Sequence, residues 1–210
     1  MFRLMIYFSL LNFCFVPVFV VAEPYLMRTE QLATEYQIGV TQIVFGVAMF
    51  ISSIIVGSIK LRSLKGTVKR GVIFMTVMFL TLTGSMFLVT YNIISFKYFY
   101  MILIAINVVI AYSMTLTNVP INTAMMKVIE PEVRGRVFAT IQSTSMLMMP
   151  ISTMLIGPII NETNSAIGSS VFTVIIIFVT LGLITNKKIA RMLEGIDNQS
   201  RQEKPNFEAT

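Results

Sequence analysis

Six apolar runs divide the chain up to residue 186, near 4–22, 38–59, 71–91, 98–118, 137–160 and 168–185, and none holds Asp, Glu, Lys or Arg in its interior. Each reaches roughly the 17–25 residues that a helix needs to cross a bilayer. A charge at the bilayer centre costs several kcal/mol, so repeated charge-free interiors are what a low-dielectric solvent selects. A soluble domain of 210 residues needs more surface charge than the 12% found here beside 55% hydrophobic residues. The expected fold is an all-α membrane protein. A six-helix transmembrane bundle occupies 1–186 and a cytoplasmic polar tail follows over 187–210.

The first run has a second reading. Arg3, an apolar stretch and Val20-Val21-Ala22 also fit a cleaved signal peptide, although the stretch is longer than a usual signal core and carries Asn12 and Pro17. Either way the later spans keep their orientation. With the N-terminus inside, fourteen basic residues face the cytoplasm: Arg3, Lys60, Arg62, Lys65, Lys69, Arg70, Lys127, Arg134, Arg136, Lys187, Lys188, Arg191, Arg201 and Lys204. Only Arg28 and Lys97 face out. This positive-inside bias places both termini in the cytoplasm and the protein in the cell membrane. The net charge of +6 reports on topology and not on nucleic acid.

No catalytic apparatus is visible. The chain has no histidine, which excludes His-based nucleophile activation and most zinc sites. No phosphate-binding GxxxxGK loop occurs. The acidic residues fall outside the six runs, so no carboxylate is expected within the bilayer, and Glu23 beside Pro24 at the outer edge is the nearest candidate for a proton site. Neither a cofactor nor a metal is expected.

Within the spans the costly neutral groups are the amides. Asn12 lies in the first span, Gln42 in the second, Asn107 and Asn118 in the fourth and Gln142 in the fifth. Asn107, Ala111, Thr115, Asn118 and Asn122 follow steps of 4, 4, 3 and 4, which puts them on one helix face. They can glue helices together, or line a polar cavity shared by spans 1, 2, 4 and 5 with spans 3 and 6 outside facing lipid. Asn12 and Asn107 open the two triplets, and Gln42 and Gln142 sit near the start of each second span. That spacing hints at an inverted repeat. In span 2, Ala48 with Ser52 and Ser53 with Gly57 make small-xxx-small pairs that allow close helix approach. Pro150, Gly157 and Pro158 mark helix bends in span 5.

The stretch KVIEPEVRGR, Lys127 to Arg136, concentrates charge between two apolar runs. Pro131 fixes the chain as it leaves span 4, Glu132 suits a helix start, and Gly135 permits a tight turn into span 5. Glu130 and Glu132 are placed to pair with the basic loop 60–70. Pro131, Glu132, Gly135-Arg136-Val137-Phe138, Pro150 and Gly157 together resemble the loop and following helix in the C-terminal half of major facilitator transporters of the macrolide-efflux and enterobactin-exporter group. Leu11-Asn12-Phe13 and Pro17 are similar to the seventh helix of that group. The stretch from Gly57 to Gly66, with Lys60, Arg62 and Lys65, is similar to its basic interhelical loop. Leu61 and Leu64 depart from that loop, where the family's N-terminal copy has Asp and Gly.

The resemblance covers roughly residues 4–190 and implies one half of a major facilitator fold, built as 3+3 inverted repeats. It implies proton-driven efflux of amphipathic small molecules when the chain is paired with an N-terminal half or a second copy of itself. Asn12, Gln42, Asn107, Asn118 and Gln142 would line the substrate pathway. Glu130, Glu132, Arg134, Arg136, Arg62 and Lys65 would form a cytoplasmic gate. The alternative from another class is a non-transporting membrane scaffold or immunity protein. The partners expected are then the lipid bilayer and, for a transporter, a small-molecule substrate.

Overall fold

The computed structural model describes residues 2–59 and 63–202. Helix α1 is composite. It runs as α-helix over Phe2–Pro17, widens to π-helix over Val18–Ala22, returns to one α turn at Glu23–Tyr25, and widens again over Leu26–Glu30. The junction residues Pro17, Ala22 and Tyr25 all keep right-handed helical angles, so the rod is continuous. The others are α2 (Glu35–Ser58), α3 (Leu64–Thr90), α4 (Phe96–Val128), α5 (Pro131–Glu162), α6 (Ser165–Thr185) and α7 (Lys187–Gln202). Six of these are long and apolar enough to cross a bilayer, the first of them as Ser9–Glu30. The chain is a multi-pass, all-α membrane protein with a six-helix bundle.

Helix starts follow local capping chemistry. Thr34 and Gln37 form a reciprocal capping box at α2, the Gln37 amide donating to Thr34 Oγ1 at 3.3 Å and the Thr34 amide to Gln37 Oε1 at 2.9 Å. Ser63 caps α3 and Asn164 caps α6 through their side-chain oxygens. Pro131 stands in the first turn of α5, where its missing N–H costs nothing.

Helix α4 packs on α2 and α3, α1 packs on α5 and α6, and α3 packs on α6. These pairs exchange among themselves when α1–α3 are swapped with α4–α6, and the two triplets begin at opposite ends of the bundle. Among these main pairs that is the contact pattern of an inverted repeat, although α5 also touches α6 where α2 and α3 make no comparable contact. Two hydroxyl pairs tie the centre: Thr76 to Thr180 and Thr83 to Thr173, each at 2.7 Å between α3 and α6. Thr76 Oγ1 also donates to the Val72 carbonyl and Thr173 Oγ1 to the Ser169 carbonyl, so Thr180 and Thr83 are the donors across the interface. Gly71 brings α3 against α4. A Cβ there would collide with the Thr117 hydroxyl and sit 3.1 Å from the Ser113 carbonyl oxygen.

Several sequence expectations change. Spans 3 and 6 do not lie outside the others. α3 and α6 meet at the centre, and α2 and α5 are the helices that leave most of their length exposed. The connection between α4 and α5 is only Ile129–Glu130, because both helices extend past their apolar runs. Gly135 therefore makes no turn and lies inside α5, and no described glycine has positive φ. α5 is one helix from Pro131 to Glu162 and carries Pro150, Gly157 and Pro158 inside it. The tail begins as the sixteen-residue helix α7, which buries Ile189, Leu193 and Ile196 and packs on α3 and α4. Its apolar residues recur at steps of 4 and 3, the spacing of one helix face.

Candidate functional site

Glu23 is the largest departure from the sequence reading. The apolar run ends visually at Glu23-Pro24, yet hydropathy resumes at Tyr25-Leu26-Met27 and the helix continues to Glu30. Glu23 thus sits inside span 1, seven residues from its end, or roughly 10 Å at the rise of a helix. It is only 5% exposed. The expectation that no carboxylate lies within the spans is corrected by this placement. Pro24 did not end the helix because the backbone widens around it. In an α-helix its ring would press on the carbonyl four residues back and leave that carbonyl without a donor. Here the Glu23 amide instead donates to the Val18 carbonyl and the Gln31 amide to the Leu26 carbonyl, both five residues back. Such wide turns shift the phase of the following side chains and are frequent at functional sites.

Across from Glu23 stands Asn107 of α4, 1% exposed, whose Nδ2 donates to Glu23 Oε1 at 3.4 Å. Glu23 Oε2 and Asn107 Oδ1 find no hydrogen-bond partner among the described residues, although both are buried. Three acceptor oxygens, two of them carboxylate, therefore share a site that supplies a single weak donor, and that donor goes to Glu23 Oε1. Buried polar atoms are nearly always satisfied, and exceptions call for a cause.

The pair faces a cleft of about 350 Å³ between α1, α2 and α4. Gln42 and Thr41 of α2 reach its wall, and Phe15, Phe19 and Phe45 supply much of the rest. The rings form a connected group. Phe15 and Phe19 stack at 4.4 Å, and Phe45 lies 5.7 Å from Phe19. Gln42 is exposed at this mouth, so the cleft opens to the surroundings on the α2 side. A mostly apolar hollow with a few convergent polar groups is the usual form of a small-molecule site.

The other expected pathway residues are dispersed. Asn12 and Asn118 are half-buried and line a separate small cavity of about 30 Å³ between α1, α3 and α4. Gln142 is exposed on α5 and borders neither cavity. Of the stripe on α4, Asn107, Ala111 and Thr115 are buried while Asn122 is exposed. Ala48 and Ser52 are buried, while Ser53 and Gly57 are exposed.

At the basic end the expected gate is rearranged. Lys65 pairs with Glu194 of α7 at 2.9 Å, in place of Glu130 or Glu132. Both of those acids and Arg136 are exposed, and Arg134 donates from Nη2 to the Ile129 carbonyl at 3.0 Å, closing the end of α4. Arg62 lies outside the described residues. Asp197 of α7 accepts from the Leu64 amide at 3.2 Å, so α7 holds the start of α3 by charge as well as by packing. At the opposite end Glu30 does similar work. It accepts from the Ser165 amide at 2.8 Å and the Ser165 hydroxyl at 2.6 Å. Among the described residues no group of three His, Cys, Asp or Glu side chains is placed to hold a metal ion.

Comparison with protein-family models finds no match to the chain, and comparison with characterised proteins finds none either.

Proposed function

We propose that the chain is one half of a transmembrane exporter of the major facilitator type, which moves amphipathic small molecules outward on the proton gradient when paired with an N-terminal half. The observation that carries this is the Glu23–Asn107 pair, a buried carboxylate with an unsatisfied oxygen at the wall of a cleft within a six-helix unit. Ionisable groups inside membrane spans are expensive and mark substrate or proton pathways. Glu23 is the proton-carrying group in this reading, Asn107 orients it, and Gln42 and the phenylalanines hold the solute. The exchange of contact pairs between α1–α3 and α4–α6 supports the half-transporter architecture. Co-expression with a matching N-terminal half in a drug-sensitive host should yield efflux that collapses with the proton gradient. A correctly assembled pair without efflux of any amphipathic compound would contradict the proposal.

The proposed site of action is the cell membrane, with the basic end in the cytoplasm. In a Cys14→Ala background, an impermeant thiol reagent applied to intact cells should label Thr34→Cys and spare Ser63→Cys and Val133→Cys. Labelling of the latter two from outside would reverse the orientation.

A further inference from the structure

We infer that the cleft between α1, α2 and α4 takes an organic monocation, with its charged nitrogen on Glu23 and its apolar body among Phe15, Phe19 and Phe45. This inference rests on the transporter reading and narrows its substrate class. The cleft walls supply acceptors and no cation. Among the described residues Glu23 Oε2 and Asn107 Oδ1 are buried oxygens without donors, so an incoming N–H donor satisfies them and a positive charge is drawn to the carboxylate, whereas an anion would face a carboxylate. Among the residues lining the cleft Glu23 is the one titratable group. The charged neighbours on the adjoining segments are engaged elsewhere: Arg28 pairs with Glu35 at 2.9 Å, and Glu30 accepts from Ser165. Tyr100 of α4 donates its hydroxyl to the Gln37 carbonyl. A single negative charge therefore matches a single positive one.

The rings refine the class. A bare inorganic cation prefers several oxygen ligands, while an alkylammonium group is stabilised by aromatic faces as well as by a carboxylate. Three phenylalanines beside one carboxylate form that combination. At about 350 Å³ the hollow has room for an alkylammonium bearing an aromatic group. The proton and the cation compete for the same carboxylate, so cation binding weakens as pH falls.

The test uses the full chain in nanodiscs of zwitterionic lipid and equilibrium dialysis with radiolabelled benzyltrimethylammonium, whose fixed charge assigns any pH dependence to the protein. Benzyl alcohol serves as the uncharged comparison, and empty nanodiscs give the background. Saturable binding of the cation is expected, weaker by about tenfold or more in Glu23→Gln and retained in part by Glu23→Asp. Phe45→Leu should weaken it about threefold. Affinity should fall with decreasing pH in the wild type and become flat in Glu23→Gln. Equal binding of benzyl alcohol, or an unchanged affinity in Glu23→Gln, would overturn the cation class and leave the transporter reading intact with a neutral solute. Absence of binding by either probe to folded chain would overturn the inference together with the assignment of this cleft. Cation binding by the chain, with no efflux from the assembled pair, would support the inference and count against the transporter.

Discussion

Replacing Asn107 with leucine should destabilise the chain by about 1–3 kcal/mol, and replacing Glu23 with leucine in the same chain should recover that loss or more. Asn107 Nδ2 is the hydrogen-bond donor that the structure gives the Glu23 carboxyl. Removing it leaves a buried carboxyl with no partner, and an unsatisfied buried polar group carries its full desolvation cost. Removing both partners replaces an imperfect polar pair by apolar packing, which is commonly neutral or stabilising. The two changes are therefore strongly non-additive, as expected of groups in direct contact. Thermal unfolding of the single and double variants in nanodiscs measures the coupling. Under the half-transporter proposal the functional outcome runs the other way: Glu23→Gln keeps a side chain of similar shape beside Asn107 but cannot gain or lose a proton, and it should abolish the proposed proton-coupled efflux of the assembled pair. Additive stabilities would show that the pair is not an interacting unit, and full activity of Glu23→Gln would remove Glu23 from the proton path.

The second large effect concerns the chain by itself. Helices α2 and α5 leave most of their length exposed, and the exposed surface includes Gln42 and Gln142 as well as apolar residues such as Phe50, Met146 and Leu147. Apolar side chains are comfortable against lipid, but amides there lack partners. Under the half-transporter proposal this is the surface a second bundle covers, because alternating access needs two bundles moving about a central site. Expressed alone, the chain should show no proton-dependent efflux, and pulse-chase should find it degraded several-fold faster than when a matching N-terminal half is present. Crosslinking should otherwise find it associated with itself through α2 and α5. A long-lived monomer that drives efflux unaided would contradict the proposal.

Much of the architecture was legible because lipid imposes a simple rule. Runs without charge and about twenty residues long became α2 to α6, and the six-span bundle followed from counting them. What failed was the use of charge and proline as boundaries. The charge-free run of span 1 ends at Ala22, whereas π-turns on either side carry the helix through Glu23 and Pro24. The useful signal was present in the apolar Tyr25-Leu26-Met27 that follows, and in Pro17 and Pro24 spaced along one segment. Asn107 was marked by its position on the polar stripe of α4, but its partner lies 84 residues away and no local pattern names it. Gln142 is marked by sequence as the amide of span 5, but an amide within a span does not say which face it takes, and α5 presents it outside both cavities. Lys65 was assigned to acids in the α4–α5 connection, while α7, whose helix is set by the repeat of Ile189, Leu193 and Ile196, delivers Glu194 to it.

The central claim is that Glu23 is a carboxyl held within the membrane span at a solute cleft, and carbodiimide labelling tests it most directly. The chain in bilayers is treated separately with the lipid-soluble N,N′-dicyclohexylcarbodiimide and with a water-soluble carbodiimide, and the modified peptides are found by mass spectrometry. Glu35, whose side chain is 73% exposed, is the internal reference for an acid in water. The account predicts that the lipid-soluble reagent modifies Glu23, that the water-soluble one modifies Glu35 much faster than Glu23, which it reaches only through the cleft, and that Glu23→Gln removes the first signal. Modification of Glu23 by the water-soluble reagent at the rate of Glu35 would put this carboxyl in water and contradict the account.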